Sequence, residues 1–416
     1  MTNSKINTTK DQNINKNSDF SYYTLGEIFM KNVLLVFGGM SYEHDISVVT
    51  ASQIYSKTKL LDTKLILFYV SRDNRFFIYL QDKFTLSDFK IENFNARNKK
   101  FKEVVFVSNE KGIVFAKTKF GLKEYIKTDI AIFAMHGGAG ENGKFQAIFE
   151  DVGIYSSCGN FDSLAICMNK YLFKQVMLGI KVPTVSGFKL TLNDIKTNKK
   201  EMEKKLDNFG FPLVIKSNNG GSSIGLFVAE NKQDFFEKLE DSFEFDNEIL
   251  IEKFIDGCRE FNVAVIGDNE NFEISEIDEP LKEHEILSFT DKYCSDAGGK
   301  SVKIDMSLKN SMASSLRKFP ADIPLRLQNR IKKFAYKIFK QLGLRGVVRI
   351  DFLYNEKDNK IYVCEVNAIP GSLSFYFFNQ NKLIINDFVN KLINIAEKYK
   401  EGHFLINKEY ITDVLK

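Results

Sequence analysis

Two acidic residues and an amide in the last fifth of the chain have the types and spacing of a metal site. Asp351 ends one predicted strand, and Glu365 and Asn367 end the next, with a polar turn at 355–359 between them. Because side chains alternate along a strand, Glu365 and Asn367 face the same way, and Asp351 lies opposite them if the strands pair as a hairpin. Two carboxylates and an amide oxygen suit Mg²⁺. A solvated hairpin with incidental acids is the alternative interpretation.

A loop rich in glycine and serine has the composition of a phosphate site. Residues 216–225 read KSNNGGSSIG, so a predicted strand delivers Lys216 immediately before the small residues. Such a loop exposes backbone N–H groups to an anion and lets the backbone approach it closely. The lysine precedes the glycines, so the order differs from GxxxxGK[ST]. A plain hairpin turn is the alternative.

Two more glycine turns follow predicted strands nearer the amino end. Residues 37–45 read FGGMSYEHD and residues 136–143 read HGGAGENG. Ligands of open α/β domains bind beyond the carboxyl ends of strands, so Glu43 is placed to hold an ammonium group. A glutamate at a helix start is also favoured by the helix dipole. A single histidine such as His136 is more often structural than catalytic.

Together these segments predict an enzyme that uses ATP to activate a carboxylate. The sequence contains no HExxH motif, so it gives no support to a zinc hydrolase.

Alternation of strands and helices predicts the elements that position these loops. Buried strands are expected at 33–37, 64–70 and 130–135 and helices at 46–55 and 145–152, which indicates an open α/β domain. The remaining predicted elements are a helix at 163–176, paired strands at 212–216 and 224–228, an amphipathic helix at 325–342, strands at 347–353 and 360–366, and a helix at 383–398.

Composition limits the environment and the partners. The 416 residues carry a net charge of only +4, and no apolar run approaches the length of a membrane span, so neither nucleic acid nor membrane is expected as a partner. The five scattered cysteines form no CxxC pair, which predicts packed thiols in a reducing cytoplasm. Residues 1–29 are polar and predict a disordered extension, with Met30 interpreted as the natural start.

In ordered blocks from about residue 32 to 400, the chain resembles the D-alanine–D-alanine ligases of the ATP-grasp superfamily. The blocks lie at 34–47, 136–143, 168–170, 216–225, 251–255, 259–264, 291–293, 349–351, 365–367 and 370–372. The resemblance implies an α/β fold, α+β in its ATP-binding part. It also implies an open α/β N-terminal domain (31–162) and central (163–252) and C-terminal (253–404) domains that clasp ATP, followed by a tail (405–416).

The resemblance also implies how the nucleotide and metal are held. The expected roles are phosphate binding by Lys170 and Lys216, a phosphate-covering loop with Ser222 and Ser223, an adenine cleft lined by Glu252, Lys253 and Ile255, ribose binding by Glu260, a γ-phosphate contact from Lys292, and Mg²⁺ (with Mn²⁺ as an alternative) on Asp351, Glu365 and Asn367.

For the amino-acid substrates, the resemblance implies that Glu43 binds the first ammonium group and hydrogen-bonds with Ser222 and Tyr293 to close two lids. Arg349 and the Gly371 backbone are expected to stabilise the oxyanion, and His136 to line the substrate site. Three features depart from the family pattern: Asn142 replaces an aspartate, the segment 294–319 is longer, and residues 374–376 do not match the usual contact for the second carboxylate.

The implied activity is ligation of two D-alanines through an acyl phosphate, for peptidoglycan precursor synthesis. D-Alanine and ATP are the expected partners, and the family suggests a homodimer. A D-alanine–D-serine ligase, a D-alanine–D-lactate ligase and a non-catalytic ATP-binding protein are the alternatives. Tyr293 resembles the residue found in the ligases of this family that form the dipeptide.

Overall fold

The computed structural model describes residues 30–107, 112–222, 224–281, 317–379 and 383–404. Four features predicted from the sequence lie outside these ranges: the extension at 1–29, the tail at 405–416, most of the long segment at 294–319, and the residues Ser223, Lys292 and Tyr293.

The first sheet has eight strands in the order β6-β5-β4-β3-β2-β1-β7-β8. The bounds are Lys31–Gly38 (β1), Thr63–Val70 (β2), Phe76–Tyr79 (β3), Phe101–Phe106 (β4), Ile113–Thr118 (β5), Gly121–Lys127 (β6), Ile130–Phe133 (β7) and Tyr155–Ser156 (β8). Strands β2, β1, β7 and β8 are parallel, as the predicted open α/β domain requires. Strands β3 to β6 extend the sheet with antiparallel pairs, which the sequence reading missed.

Parallel pairing explains the continuous apolar run of β1. Its residues Val33 to Phe37 are fully buried, as expected for a central parallel strand that is covered on both faces. Since β1 and β7 are adjacent and parallel, their carboxyl ends lie side by side. The two glycine turns that follow these strands therefore meet at one edge of the sheet.

Five helices among the described residues connect or follow the strands of the first sheet. They are His44–Lys57 (α1), Gly138–Glu141 (α2), Lys144–Asp151 (α3), Phe161–Met168 (α4) and Lys170–Gly179 (α5). The prediction of a single helix at 163–176 is wrong, because α4 ends at Met168 and a second helix, α5, begins after Asn169. The Asn169 side chain accepts a hydrogen bond from Leu172 N at 2.8 Å, which caps α5. Lys170 is thereby the first residue of α5.

The second sheet is antiparallel, in the order β11-β10-β12-β9. Its strands are Gly187–Thr191 (β9), Leu213–Ser217 (β10), Phe227–Ala229 (β11) and Glu248–Lys253 (β12), and its helices are Leu192–Thr197 (α6), Lys199–Phe209 (α7) and Lys232–Ser242 (α8). The predicted pairing on either side of the glycine-rich loop is present as β10 and β11.

The third sheet has the order β15-β14-β13-β16-β17. Its strands are Arg259–Gly267 (β13), Phe272–Pro280 (β14), Arg317–Lys318 (β15), Gly346–Asn355 (β16) and Lys360–Asn367 (β17), and the helices after β15 are Leu325–Gln341 (α9), Tyr376–Asn379 (α10) and Ile385–Phe404 (α11). Short 3₁₀ turns lie at Leu86–Phe89 and Gly371–Ser374.

Buried apolar side chains divide these elements into two packed units. The first and third sheets share one continuous core, whereas the second sheet and its helices have a core of their own. The glycine-rich loop between β10 and β11 thus belongs to a separately packed layer. Within the described ranges, no helix is long and apolar enough to cross a membrane.

Candidate active site

The predicted metal hairpin is formed by β16 and β17, with Asp351 directly opposite Glu365 and Arg349 opposite Asn367. One detail of the prediction is wrong: Asp351 lies in the middle of β16 and does not end it. Asn367 Nδ2 donates to Asp351 Oδ2 at 3.0 Å. On the other side, the amide of Asn262, oriented with its nitrogen towards Asp351, donates to Oδ1 at 3.1 Å. Asp351 is therefore a buried carboxylate surrounded by donors.

The oxygen atoms that this hairpin offers as ligands fit a divalent cation. Asp351 and Glu365 are cross-strand neighbours on one face, and Asn367 joins them two residues beyond Glu365. Since the nitrogen of the Asn367 amide faces Asp351, the oxygen is the end left for a cation. Two carboxylates and an amide oxygen are hard ligands of the kind that Mg²⁺ and similar ions take, with waters and phosphate oxygens completing the shell.

Lys170 stands between this hairpin and the glycine-rich loop. Its ammonium donates to the carbonyl of Gly220 and lies 3.9 Å from Glu365 Oε2. The first turn of α5 also holds the loop through Asn218, whose backbone oxygen accepts from Lys170 N at 2.9 Å and whose side chain accepts from Tyr171 N at 2.8 Å. The start of α5 at Lys170 therefore places this lysine where a phosphate on the loop would lie close to a metal on the hairpin.

Asp246 anchors the base of the same loop, a role that the sequence analysis missed. Its carboxylate accepts hydrogen bonds from Ser217 Oγ at 2.8 Å and from Asn219 N at 2.7 Å. An acidic residue 27 positions away from the loop that it holds gives no local sequence signal. The loop conformation therefore depends on a contact within the second sheet's own unit.

Glu43 contacts the tip of the glycine-rich loop from the opposite side. Ser222 Oγ donates to Glu43 Oε1, the contact expected from the resemblance. A Cβ on Gly137 would lie 2.5 Å from Glu43 Oε2, and one on Gly221 would lie 2.6 Å from the same atom. A larger residue at either place would displace the Glu43 carboxylate, and at Gly137 it would also be strained by the φ of +66°. A cavity of about 610 Å³ lies beside these residues and extends to Met168 and Phe245.

His136 was expected to line the substrate site, but both of its ring nitrogens are already engaged. Nδ1 lies 2.8 Å from Ile369 O, and Nε2 lies 2.8 Å from Thr50 Oγ1. A carbonyl only accepts, so Nδ1 carries the proton and Nε2 accepts from the threonine. Burial lowers the pKa of His136 to about 4. The structure thus gives the neutral imidazole of His136 a positioning contact, and its expected contact with substrate stays a prediction.

The turn that His136 holds has an unusual backbone. Ser372, Leu373 and Ser374 all have φ near +50°, a conformation that costs about 1–3 kcal/mol for each non-glycine residue. Two α1 residues stabilise it: Thr50 Oγ1 accepts from Ser372 N at 3.1 Å, and Gln53 Oε1 accepts from Ser372 Oγ at 2.6 Å. These contacts connect the turn that contains Gly371, the expected oxyanion donor, to helix α1.

Glu141 makes a further link between the His136 loop and this turn. Its carboxylate accepts from Gly137 N at 3.0 Å and from Ile369 N at 3.3 Å. Burial, assisted by the charge of Glu43, raises the pKa of Glu141 to about 7. Its neighbour Asn142, which departs from the family pattern, is the C-cap of α2.

The residues expected around adenine and ribose lie on β12 and β13. Glu252 is buried and forms an ion pair with Lys216, with 2.5 Å between Oε2 and Nζ. The Lys253 side chain is exposed, and its backbone N donates to Ser186 O at 3.0 Å. Ile255 and Glu260 are half-buried.

Near residues 374–376, where no contact for the carboxylate of the second substrate was assigned, the Arg317 guanidinium lies 4.6 Å from the centre of the Tyr376 ring.

Comparison with known proteins connects this geometry to one family. The model described as "D-ala D-ala ligase N-terminus" matches residues 32–158, and the model described as "D-ala D-ala ligase C-terminus" matches residues 176–394. The D-alanine–D-alanine ligase of Thermosipho melanesiensis is 33% identical over 384 residues, which cover 89% of this chain and 95% of the relative.

Solved structures show the same fold. The VanG D-Ala:D-Ser ligase of Enterococcus faecalis has a TM-score of 0.70 at 25% identity, covering 88% of this chain and 99% of its own. The D-alanine–D-alanine ligase of Bacillus anthracis, solved with ATP, has a TM-score of 0.61 at 22% identity, covering 90% and 99%. The family and the α/β ATP-grasp fold predicted from the sequence are both confirmed: the chain belongs to the D-alanine–D-alanine ligase family.

Proposed function

We propose that the chain joins two D-alanine molecules into D-alanyl-D-alanine and converts ATP to ADP and phosphate. The observation that carries the proposal is the position of the glycine-rich loop. It touches Lys170, next to the metal hairpin, through Gly220, and it touches Glu43 through Ser222. A phosphate held by this loop would thus lie between a metal site and a carboxylate suited to an amino group.

The first step is attack of the first D-alanine's carboxylate on the γ-phosphorus. Both reactants are anions, so their repulsion must be offset by positive charge. Lys170 and Lys216 supply charge from the protein. Mg²⁺, which Asp351, Glu365 and Asn367 would hold, supplies further neutralisation of the phosphates when bound. Glu43 holds the ammonium group of this first D-alanine.

The second step is attack of the second D-alanine's neutral amine on the acyl phosphate, with phosphate as the leaving group. Negative charge develops on the carbonyl oxygen in the tetrahedral intermediate. We assign its stabilisation to the Arg349 guanidinium and the Gly371 N–H, each well-placed donor contributing about 3–4 kcal/mol. The contacts of Thr50 and Gln53 with Ser372 support the conformation that presents Gly371.

An acyl phosphate must be protected from water. The hydrogen bond from Ser222 to Glu43 joins the second sheet's unit to the first sheet across the cavity. Closing this contact after substrate binds would exclude solvent from the intermediate. Lys292 and Tyr293, assigned to the second lid by the resemblance, remain part of the proposal as a γ-phosphate contact and a partner of Glu43.

The test is ADP release by the purified protein with Mg²⁺-ATP and D-alanine, D-serine, D-lactate or L-alanine, with the product identified by mass spectrometry. We expect release with D-alanine alone and formation of the dipeptide. Release only in a mixture with D-serine would instead identify a D-alanine–D-serine ligase, the activity for which VanG is named. Release only in a mixture with D-lactate would identify the ester-forming alternative. ATP binding without substrate-dependent release would identify a non-catalytic protein.

The remaining parts of the proposal concern the setting of the reaction. We propose that it supplies peptidoglycan precursors in the cytoplasm and that the active form is a homodimer, both on the basis of the family resemblance. Light scattering on the purified full chain measures the oligomeric state. A single species at the 47.8 kDa monomer mass would contradict the dimer.

A further inference from the structure

Lys174 is a buried lysine that neither the sequence motifs nor the proposed chemistry uses. It lies in α5, one turn after Lys170, and is only 5% exposed. Its ammonium forms an ion pair with Glu252 and donates to Val185 O at 2.6 Å. Burying an ammonium is costly unless it is paired, so this position needs the partners that it has.

Glu252 is shared between two lysines. One carboxylate oxygen pairs with Lys174, and the other pairs with Lys216. Glu252 on β12 is opposite Val214 on β10, two residues before Lys216, so both side chains stand on the same face of the second sheet. All three charged groups are 5–8% exposed. The cluster therefore has two positive charges, one negative charge and almost no solvent.

The charge balance of this cluster affects the phosphate site. With Lys174 absent, Glu252 would neutralise Lys216 alone, and the pair would have no net charge. With Lys174 present, the carboxylate is held from both sides and the cluster keeps one net positive charge at the base of the glycine-rich loop. A buried charge acts on a phosphate far more strongly than an exposed one, because solvent screens it less.

We propose that Lys174 is a positioning residue for nucleotide binding, which shares Glu252 with Lys216 so that the cluster keeps one net positive charge for the phosphates. The inference rests on the proposed function only in requiring that the site binds ATP. A purely structural lysine, one that merely ties α5 to β12, would change the stability of the fold but not the phosphate affinity of the folded protein.

The experiment measures binding by calorimetry, in the full chain with Mg²⁺ and without D-alanine. The probes are AMP-PNP, a non-hydrolysable ATP analogue, and adenosine, which has no phosphate. In Lys174→Met, the Kd for AMP-PNP is expected to rise at least about tenfold, the order of one lost charged interaction. The Kd for adenosine should change by less than about threefold on the same scale. Lys174→Arg should restore most of the affinity.

The matched control is Lys196→Met, which removes an exposed lysine from α6 and should leave both affinities unchanged. An unchanged AMP-PNP affinity in folded Lys174→Met would overturn the inference. Equal weakening of AMP-PNP and adenosine would overturn it too, since Glu252 would then act through the base. If Lys174→Met does not fold, Lys174→Gln replaces it under the same criteria. A wild-type chain that binds neither probe would refute the proposed function instead.

Discussion

The guanidinium of Arg349 donates two hydrogen bonds to the carboxylate of Asp351, from Nε at 2.7 Å and from Nη2 at 2.8 Å. Both side chains are buried. Paired N–H donors on a carboxylate define the plane of the guanidinium as well as its distance. The residue proposed to stabilise the oxyanion is therefore oriented by a residue proposed to bind the metal, so the two parts of the site share one geometry.

Replacing Arg349 by alanine should lower kcat by at least ~10²-fold, because the oxyanion loses a charged donor. Arg349→Lys should remain well below wild type, since an ammonium cannot reproduce the planar pair of bonds to Asp351. Steady-state rates of dipeptide formation measure both effects. Arg330→Ala, which removes an arginine that contacts the exposed turn at Asn359, is the control. Near-normal turnover in Arg349→Ala would refute the assigned role.

Because Ser222 contacts Glu43, we expect that removing the Ser222 hydroxyl makes the protein consume ATP without forming an equal amount of dipeptide. Ser222 has φ of +53°, so Ser222→Gly deletes the hydroxyl without adding backbone strain. Losing a hydrogen bond to a charged group costs about 1.5–3 kcal/mol. We expect a higher KM for the first D-alanine and more ADP formed per dipeptide. The ratio of ADP to dipeptide is measured directly.

A matched control for Ser222→Gly is Lys181→Gly, at an exposed position with φ of +55°. It makes the same kind of backbone change away from the cavity, so its ratio of ADP to dipeptide should stay at the wild-type value. Equal ratios in the two variants would mean that the Ser222 hydroxyl does not protect the intermediate.

The elements that the sequence predicted well are those whose pattern is set locally. The apolar run in β1 is buried on both faces, and the hairpin of β16 and β17 has a clear polar turn. The antiparallel strands β3 to β6 were missed because they are short or, like β6, largely exposed. Asn169 was a local signal that was overlooked, since an asparagine before a helical run favours a helix start.

The supporting residues of the site could not be found in the same way. Lys174 is one of 58 basic residues, and a lysine in a helix is usually solvated; only its packing against β12 shows that it is buried. Thr50 and Gln53 are polar residues of a helix, and such residues usually face solvent. They contact Ser372 across more than 300 residues of chain, so their role depends on the tertiary fold.

Thr50 offers a nearly isosteric test of how the Gly371 turn is held. Its Oγ1 contacts both His136 Nε2 and Ser372 N, so Thr50→Val removes two hydrogen bonds with little change in volume. Leaving buried polar partners unsatisfied costs about 1–3 kcal/mol each. Because the turn is strained, we expect kcat to fall about tenfold or more. The affinity for ATP should stay unchanged, since the turn does not touch the glycine-rich loop's anchors.

Thr58 provides the control for this substitution. It is the C-cap of α1, and its buried Oγ1 has no hydrogen-bond partner among the described residues. Thr58→Val should therefore leave kcat at the wild-type value. If Thr50→Val behaves like Thr58→Val, the hydroxyl of Thr50 does not position the catalytic turn.

His136 leads to a prediction about pH. An unfolded histidine has a pKa of about 6.5, whereas burial lowers the pKa of His136 to about 4. Between these values the unfolded chain binds a proton that the native chain does not. The stability contributed by the neutral imidazole is therefore fully present above pH 6.5 and is lost as the pH falls towards 4. The slope approaches about 1.4 kcal/mol per pH unit.

An NMR titration of the labelled imidazoles measures this directly. One of the four histidines should titrate near pH 4, and its resonance should disappear in His136→Gln. Between pH 7 and pH 5, the wild-type free energy of unfolding should fall by about 2 kcal/mol more than that of His136→Gln, by the same linkage. A resonance assigned to His136 that titrates near 6.5 would contradict the neutral, buried imidazole. The Gly371 turn would then have to be held by other contacts, because a protonated Nε2 could no longer accept a hydrogen bond from Thr50.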